Sequence, residues 1–191
     1  MAGKEIIIVG GPNGAGKTTA ARMFIPRYLE ESLYLNADEI ARDIAPHDPD
    51  SAALAAGRIF IERMRELVRQ ERSFAFETTC SGKSYLRLLE QCKRTGWMVR
   101  LLYFWLPSPS YSLERVARRV SQGGHNIPMD VIHRRYGAGV SNMRNLYLPV
   151  ADDAEIYDNR DRQRVLIARK RNGSVKIFDP LRWAAIEEIS Q

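Results

Sequence analysis

Lys4-Glu5-Ile6-Ile7-Ile8-Val9-Gly10-Gly11-Pro12-Asn13-Gly14-Ala15-Gly16-Lys17-Thr18-Thr19 is the stretch that decides the fold. Its first six residues are a short run rich in β-branched side chains that ends in glycines, the pattern of a strand buried on both faces of a parallel sheet. A helix is expected directly afterwards, over about 16–30. Between the two, the stretch from Gly11 to Thr18 satisfies G-x-x-x-x-G-K-[ST] in full. Glycines there let the backbone fold around an anion with its N–H groups turned inward, and the helix N-terminus adds partial positive charge. Such a loop places Gly11, Pro12, Asn13, Gly14, Ala15, Gly16, Lys17, Thr18 and Thr19 around nucleotide phosphates. Lys17 is then the cation for the β- and γ-phosphates, and the Thr18 hydroxyl is the Mg²⁺ ligand. The expected cofactors are ATP and Mg²⁺.

Outward from this loop the chain alternates strand and helix. Strands are expected at 33–35, 73–76, 98–106 and 154–157, and helices at 50–72, 83–94, 112–120 and 129 to about 145. The strongest strand, at 98–106, is cut off by Pro107 and Pro109. This alternation implies an α/β fold of three layers, α/β/α, around a mainly parallel five-stranded sheet. The last part, about 162–190, departs from the pattern. Residues 164–170 and 175–178 flank a turn at Asn172-Gly173, the signal of a β-hairpin, and a helix over 180 to about 189 closes the chain. With no repeat, low-complexity tract or linker, residues 1–191 read as a single domain.

Composition narrows the function. At 45% hydrophobic and 27% charged, the 191 residues are ordinary globular stock, which excludes disorder, collagen-like repetition and coiled coil. The longest apolar run of the first strand, 6–9, is far too short to cross a bilayer, so no membrane partner is expected. The two cysteines, Cys80 and Cys92, form no CxxC and suit a reducing cytoplasm. The net charge of +6 is concentrated, with 10 basic against 3 acidic side chains in 87–145. That excess fits a polyanion such as nucleotide phosphates or nucleic acid, and fits a solvated basic helix face equally well.

A phosphate loop names a ligand, not a reaction. Asp38 follows the second strand in Leu35-Asn36-Ala37-Asp38, on the edge where the loop lies. A carboxylate there can take the proton of an acceptor hydroxyl, or can simply cap the next helix. Glu77 leaves the third strand on the same edge and suits substrate hydroxyls or a water on the metal, or else a capped turn. Thr78, Thr79 and Ser81 add hydroxyls for sugar, phosphate or one another. Between about 112 and 145, Arg115, Arg118 and Arg119 precede Gly123-Gly124-His125, and Arg134 and Arg135 follow. A glycine turn between two arginine-bearing helices reads as a lid that delivers guanidiniums to a transferring phosphoryl group. Helical spacing keeps all of them from facing one ligand, so Arg119 and one of Arg134 and Arg135 are the candidates. His125 is read as a hydrogen-bonding residue for substrate or backbone, since no nearby Cys or His completes a metal set. Gly82-Lys83-Ser84 lacks the leading glycine of a second phosphate loop and reads as a helix start. Tyr103-Phe104-Trp105 reads as core. Asp158-Asn159-Arg160 reads as a turn, with the adenine side of ATP as the other reading.

Together the loop from Gly10, Leu35-Asn36-Ala37-Asp38, Glu77-Thr78-Thr79, Arg119-Val120 before Gly123-Gly124-His125, Arg134-Arg135 and Tyr157-Asp158-Asn159 resemble the zeta toxin family, in particular its short stand-alone members, over roughly 4–160. The resemblance implies a P-loop kinase-like fold and ATP-dependent phosphorylation, the best-known acceptor being the sugar 3′-hydroxyl of UDP-N-acetylglucosamine. It implies Lys17, Asp38, Arg119, Arg134 and Arg135 as the catalytic set, with Asp38 the general base and the arginines phosphate clamps. The expected substrate surface is Asp38, Arg42, Glu77, Thr78, Thr79 and His125, and the resemblance implies Glu77 as the contact to the sugar. A nucleotide or nucleotide-sugar is the implied substrate and an antitoxin the implied partner, which no residue here identifies. Two further readings stay open. A polynucleotide 5′-kinase would use Arg42, four residues after Asp38, and hold a strand under the basic lid. An ATP-hydrolysing switch would phosphorylate no acceptor.

Overall fold

The computed structural model describes residues 3–29, 33–49, 51–123, 126–161 and 163–190. Gly124 and His125, expected in the lid turn, lie outside the described residues.

Strand β1 (Glu5–Gly10) runs into the phosphate loop and helix α1 (Lys17–Phe24). The helix is shorter than its apolar pattern suggests because Pro26 has no N–H to donate, and Ile25–Arg27 form a 3₁₀ turn instead. Next come β2 (Tyr34–Leu35), α2 (Ala37–Ile44), α3 (Ala53–Arg69) and β3 (Phe74–Thr78). Helix α4 (Leu86–Arg94) starts three residues later than Lys83, and β4 is Met98–Trp105. Helix α5 (Pro109–Ser121) starts earlier than expected, since proline is well suited to a first helical position. Helix α6 (Met129–Asn142) continues through a π-turn, Met143–Tyr147, into the short α7 (Leu148–Val150). The chain ends with β5 (Asp153–Asp158), β6 (Val165–Arg171), β7 (Ser174–Ile177) and α8 (Pro180–Ile189).

The strand order is β2-β3-β1-β4-β5-β6-β7. The first five are parallel, so their C-terminal ends share one edge, with the phosphate loop at its centre between β3 and β4. The sheet therefore has seven strands rather than five, because the hairpin continues it instead of standing apart. Left alone, β5 would present a row of unpaired backbone groups. β6 covers that edge in antiparallel register, Ala154 against Lys170 and Asp158 against Val165. Positive φ at both Asn172 and Gly173 makes the tight turn that brings β7 back along β6.

Alternation along β1 splits the core in two. Ile6 and Ile8 join Phe74, Phe76, Leu101 and Tyr103 beneath Phe60, Leu89 and Tyr147 of the helical layer. Ile7 and Val9 join Ala75, Leu102 and Phe104 beneath Ala20, Ala21 and Phe24. The expected core run Tyr103-Phe104-Trp105 is fully buried. Cys80 and Cys92 are buried and unbonded to each other. Among the described residues no helix is long and apolar enough to cross a membrane.

Candidate active site

The phosphate loop is shaped by backbone contacts that exclude side chains. Gly11 has φ +149°, and a Cβ there would lie 2.4 Å from the Phe104 carbonyl oxygen. Its N–H donates to the Thr78 carbonyl at 3.2 Å, tying the loop to the neighbouring strand. Within the loop, the Ala15 N–H donates to the Pro12 carbonyl at 3.1 Å. Helix α1 opens at Gly16 with no side-chain cap. Its N-terminal donors thus remain available to an anion. Lys17 is 7% exposed and donates to the Pro12 carbonyl at 3.0 Å. The buried Asn13 Oδ1 has no partner among the described residues. An uncapped helix start under a buried lysine suits the phosphates of a nucleotide, so the residues present fit ATP.

Glu77, near the end of β3, is engaged through both carboxylate oxygens. Its Oε2 accepts from the Thr18 hydroxyl at 2.8 Å, from the Tyr34 hydroxyl in a very short bond, and from Asn36 Nδ2 at 3.3 Å. Its Oε1 lies 3.6 Å from Lys17 Nζ. Burial, and then the neighbouring Glu77 carboxylate, push the Tyr34 phenol far above its usual range, so it stays a donor. Thr18 and Glu77 are oxygen donors of the kind Mg²⁺ takes when phosphates complete its shell, so this pair fits the metal. Among the described residues no group of three or more His, Cys, Asp or Glu side chains could hold a metal ion.

Asn36 also sets the place of Asp38. Its Oδ1 accepts from the Asp38 N–H at 2.9 Å, making Asn36 the cap of α2. The capping alternative for Asp38 is thereby corrected. The helix begins at Ala37, and Asp38 lies in its first turn, exposed, its carboxylate accepting no bond among the described residues. Arg42 donates to the Asp38 carbonyl at 3.1 Å, not to its carboxylate. A cleft of about 370 Å³ lined by Thr18, Ala21, Arg22, Tyr34 and Glu39 opens beside this cluster.

Two sets of braces hold the loop from behind. Arg115 of α5 donates to the carbonyls of Gly14 at 3.3 Å and Arg160 at 2.6 Å. Asn159, after β5, donates to the Ala15 carbonyl at 2.6 Å. Asp158, 1% exposed, accepts from Arg160 and Arg182 at 2.6 and 2.7 Å, linking this segment to α8. Asp158 is the last residue of β5, Asn159 and a bend at Arg160 follow it, and Asn159 touches the phosphate loop. On the other side, α6 clamps the segment after β3. Asn142 donates to the carbonyls of Cys80 and Ser81, each at 3.0 Å, and Tyr147 to that of Gly82 at 2.6 Å. The hydroxyls of this segment turn inward. Thr78 Oγ1 accepts from the Cys80 N–H at 3.0 Å, and Thr79 Oγ1 lies 2.8 Å from Ser81 Oγ.

Arg119 near the end of α5 and Arg134 on α6 are exposed, while Arg135 is half-buried, its charge reaching the phenol of Tyr85. Thr19 is exposed on α1.

The zeta toxin family model matches residues 2–172. The chain belongs to the zeta toxin family. An uncharacterized protein of Haemophilus influenzae is 33% identical over 132 residues, which are 69% of this chain and 92% of that one. The AvrRxo1-ORF1:-ORF2 structure solved with ATP superposes with a TM-score of 0.74 at 17% identity, covering all of this chain and 64% of that one. This zeta toxin family chain thus spans under two thirds of that structure's length. The structure from the PezAT toxin-antitoxin system of Streptococcus pneumoniae superposes at a TM-score of 0.67 and 15% identity, covering 97% and 77%. These likenesses show the zeta toxin fold, a P-loop kinase-like α/β sheet with helices.

Four residues of this zeta toxin site have contacts that their local sequence does not specify. Tyr34 lies within the expected strand 33–35, and only the pairing of β2 with β3 brings it to Glu77. Asn36 is a strong capping residue one position before α2, a signal that competed with Asp38 two residues on. Arg115 shares a helix with Arg118 and Arg119, and spacing alone does not say which one meets the loop. Asn142 sits at the end of a predicted helix, where nothing local indicates the carbonyls it holds.

Proposed function

We propose that this zeta toxin family chain is an ATP-dependent phosphotransferase that moves the γ-phosphate to a hydroxyl of a small molecule. UDP-N-acetylglucosamine, through its sugar 3′-hydroxyl, or a related nucleotide-sugar is the candidate acceptor. The observation that carries the reading is Asp38. Its carboxylate accepts no bond among the described residues and is exposed, yet its backbone is pinned by the same Asn36 that bonds Glu77 beside the phosphate loop. A carboxylate so held on the ligand edge suits a general base.

In this reading Lys17 and the loop backbone hold the phosphates in line. The acceptor hydroxyl gives its proton to Asp38 as its oxygen bonds to the γ-phosphorus, the bond to the bridging oxygen breaks, and ADP leaves. Bound Mg²⁺, held at Thr18, would neutralise phosphate charge. Arg119, with Arg134 or Arg135, would stabilise the charge on the transferring group when α5 and α6 close over it. The family membership supports an antitoxin as a protein partner of this chain. The polynucleotide reading is weaker, because Arg42 is engaged on the Asp38 carbonyl.

Asp38→Ala and Asp38→Asn test the proposal. Acceptor phosphorylation is expected to fall by roughly 10²–10⁴-fold, the usual worth of a general base. Nucleotide affinity should stay unchanged, since neither Lys17 nor the loop touches Asp38. Transfer at the wild-type rate by either variant overturns the assignment, and unchanged ATP hydrolysis without any acceptor product favours the switch.

A further inference from the structure

The hairpin that covers the open edge of β5 leaves an edge of its own. β7 is the last strand of the sheet, with β6 on one side and no strand on the other among the described residues. The Phe178 N–H donates to the Ile167 carbonyl at 2.8 Å. Backbone groups alternate in direction along an antiparallel strand, so those of Ser174 and Lys176 also turn toward β6. The N–H and C=O of Val175 and Ile177 then turn outward, in strand geometry, where another backbone can pair with them.

The side chains of β7 divide by face. Val175 and Ile177 lie opposite Lys170 and Ala168, on the face that α8 covers through Trp183 and Ile186, yet they are 41% and 42% exposed. Leu181, in the first turn of α8, is 86% exposed. Ser174 and Lys176 lie opposite Arg171 and Arg169, on the other face. There Arg169 is held by Glu155 at 2.9 Å, and Glu155 also accepts from Tyr157 at 2.7 Å. Arg171 and Lys176 are exposed and meet no carboxylate among the described residues. β7 is thus an unpaired edge that is apolar on one face and cationic on the other.

A lysine on an edge strand guards against pairing with like edges. The two-fold antiparallel register that pairs both Val175 and Ile177 with a second copy sets Lys176 against Lys176, between chains that each carry a net charge of +6. A carboxylate opposite Lys176 is attracted instead. It would stand at a non-hydrogen-bonded position, where facing side chains are closest. We propose that β7 is a docking edge for an extended acidic segment of a partner protein, added as an eighth strand. Its apolar residues would lie beside Val175 and Ile177, and its carboxylates beside Lys176 and Arg171. This goes beyond the phosphotransferase reading and does not depend on it.

The probe is a capped eight-residue peptide alternating valine and glutamate, added to the isotope-labelled full chain, with amide hydrogen exchange followed by NMR. With about nine-tenths of the chain bound, exchange at Val175 and Ile177 should slow by about 10-fold, because only the free chain exchanges there. Ser174 and Lys176, already paired with β6, should change less. Lys176→Glu, at an exposed position, should weaken this peptide by about threefold to tenfold and shift the preference to a peptide alternating valine and lysine. Val175→Thr with Ile177→Thr keeps strand propensity and should weaken both peptides. If that double variant folds poorly, Lys176→Glu still decides. No protection of Val175 and Ile177 at about 1 mM peptide overturns the proposal and leaves Lys176 as a guard alone. Equal binding of the glutamate and lysine peptides overturns the acidic partner. Protection that grows with protein concentration in the absence of peptide gives the edge to a second copy and overturns it as well. So does salt-sensitive binding of an oligodeoxythymidine in place of the peptide, with neither amide protected.

Discussion

The bond from Asn159 to the phosphate loop offers the sharpest test of how that loop is held. Asn159 is 7% exposed, and its Nδ2 donates to the carbonyl of the fully buried Ala15 at 2.6 Å. Asn159→Ala leaves that carbonyl buried without a donor, which costs about 2 kcal/mol. For a chain of this size that is a fall in melting temperature of roughly 4–8 °C. Asn159→Asp is nearly isosteric but turns the donor into an acceptor facing the same carbonyl, and it buries a charge. The cost at neutral pH should reach on the order of 4 kcal/mol, or a fall of roughly 8–16 °C. The two variants then separate with pH. Burial would raise the folded-state pKa of the introduced carboxyl above its unfolded value near 3.9. The folded chain would hold the proton more tightly, so the stability of Asn159→Asp relative to Asn159→Ala rises as pH falls through the raised pKa. Once protonated, the carboxyl can donate to Ala15. Differential scanning calorimetry at pH 7.5 and pH 5 measures this difference, with background titration cancelling between variants. If the two melt together at pH 7.5, and acid brings no relative gain to Asn159→Asp, the bond does not hold the loop as argued.

Other consequences are simpler to measure. A Cβ at Gly139 would lie 2.4 Å from the Thr79 carbonyl oxygen, so Gly139→Ala must push α6 off the segment after β3, at about 1–3 kcal/mol. Gly137 on the same helix has nothing within 4 Å of that position, and Gly137→Ala should leave stability unchanged or raise it by up to about 1 kcal/mol. Equal melting temperatures for these two variants would contradict the packing of α6. Burial pushes the Cys80 thiol up to about 12 and raises that of Cys92, so both stay protonated. Neither should react with a disulfide reagent at pH 8 until urea unfolds the chain, and fast native labelling of either would refute their burial.

Much of this was legible because it is local. The phosphate loop is a backbone device, and its glycines, lysine and flanking apolar strand are contiguous. The hairpin was equally readable, since Asn172 and Gly173 adopt the positive φ values their types favour. What escaped depends on which strands become neighbours. Strand and helix alternation does not specify the order β2-β3-β1, and only that order brings Tyr34 and Asn36 onto Glu77. Nor does a hairpin announce that it will extend the sheet, because the need arises from the open edge of β5. Arg115 and Arg119 lie one helical turn apart, and the packing of α5 against the loop, not their spacing, sends Arg115 to Gly14. The hydroxyls of Thr78, Thr79 and Ser81 suited sugar, phosphate or one another in sequence, and the path of the chain after β3 decides it by pairing Thr79 with Ser81 and Thr78 with the Cys80 N–H.

Phosphoryl transfer to a small-molecule hydroxyl can be read out by mass spectrometry of a metabolite extract incubated with the protein, ATP and Mg²⁺. Lys17→Ala is the control, since it removes the cation from the loop while leaving the fold. A metabolite should gain one phosphate only with the intact protein, with ADP appearing in equal amount. ATP converted to ADP and free phosphate with no phosphorylated acceptor would contradict it.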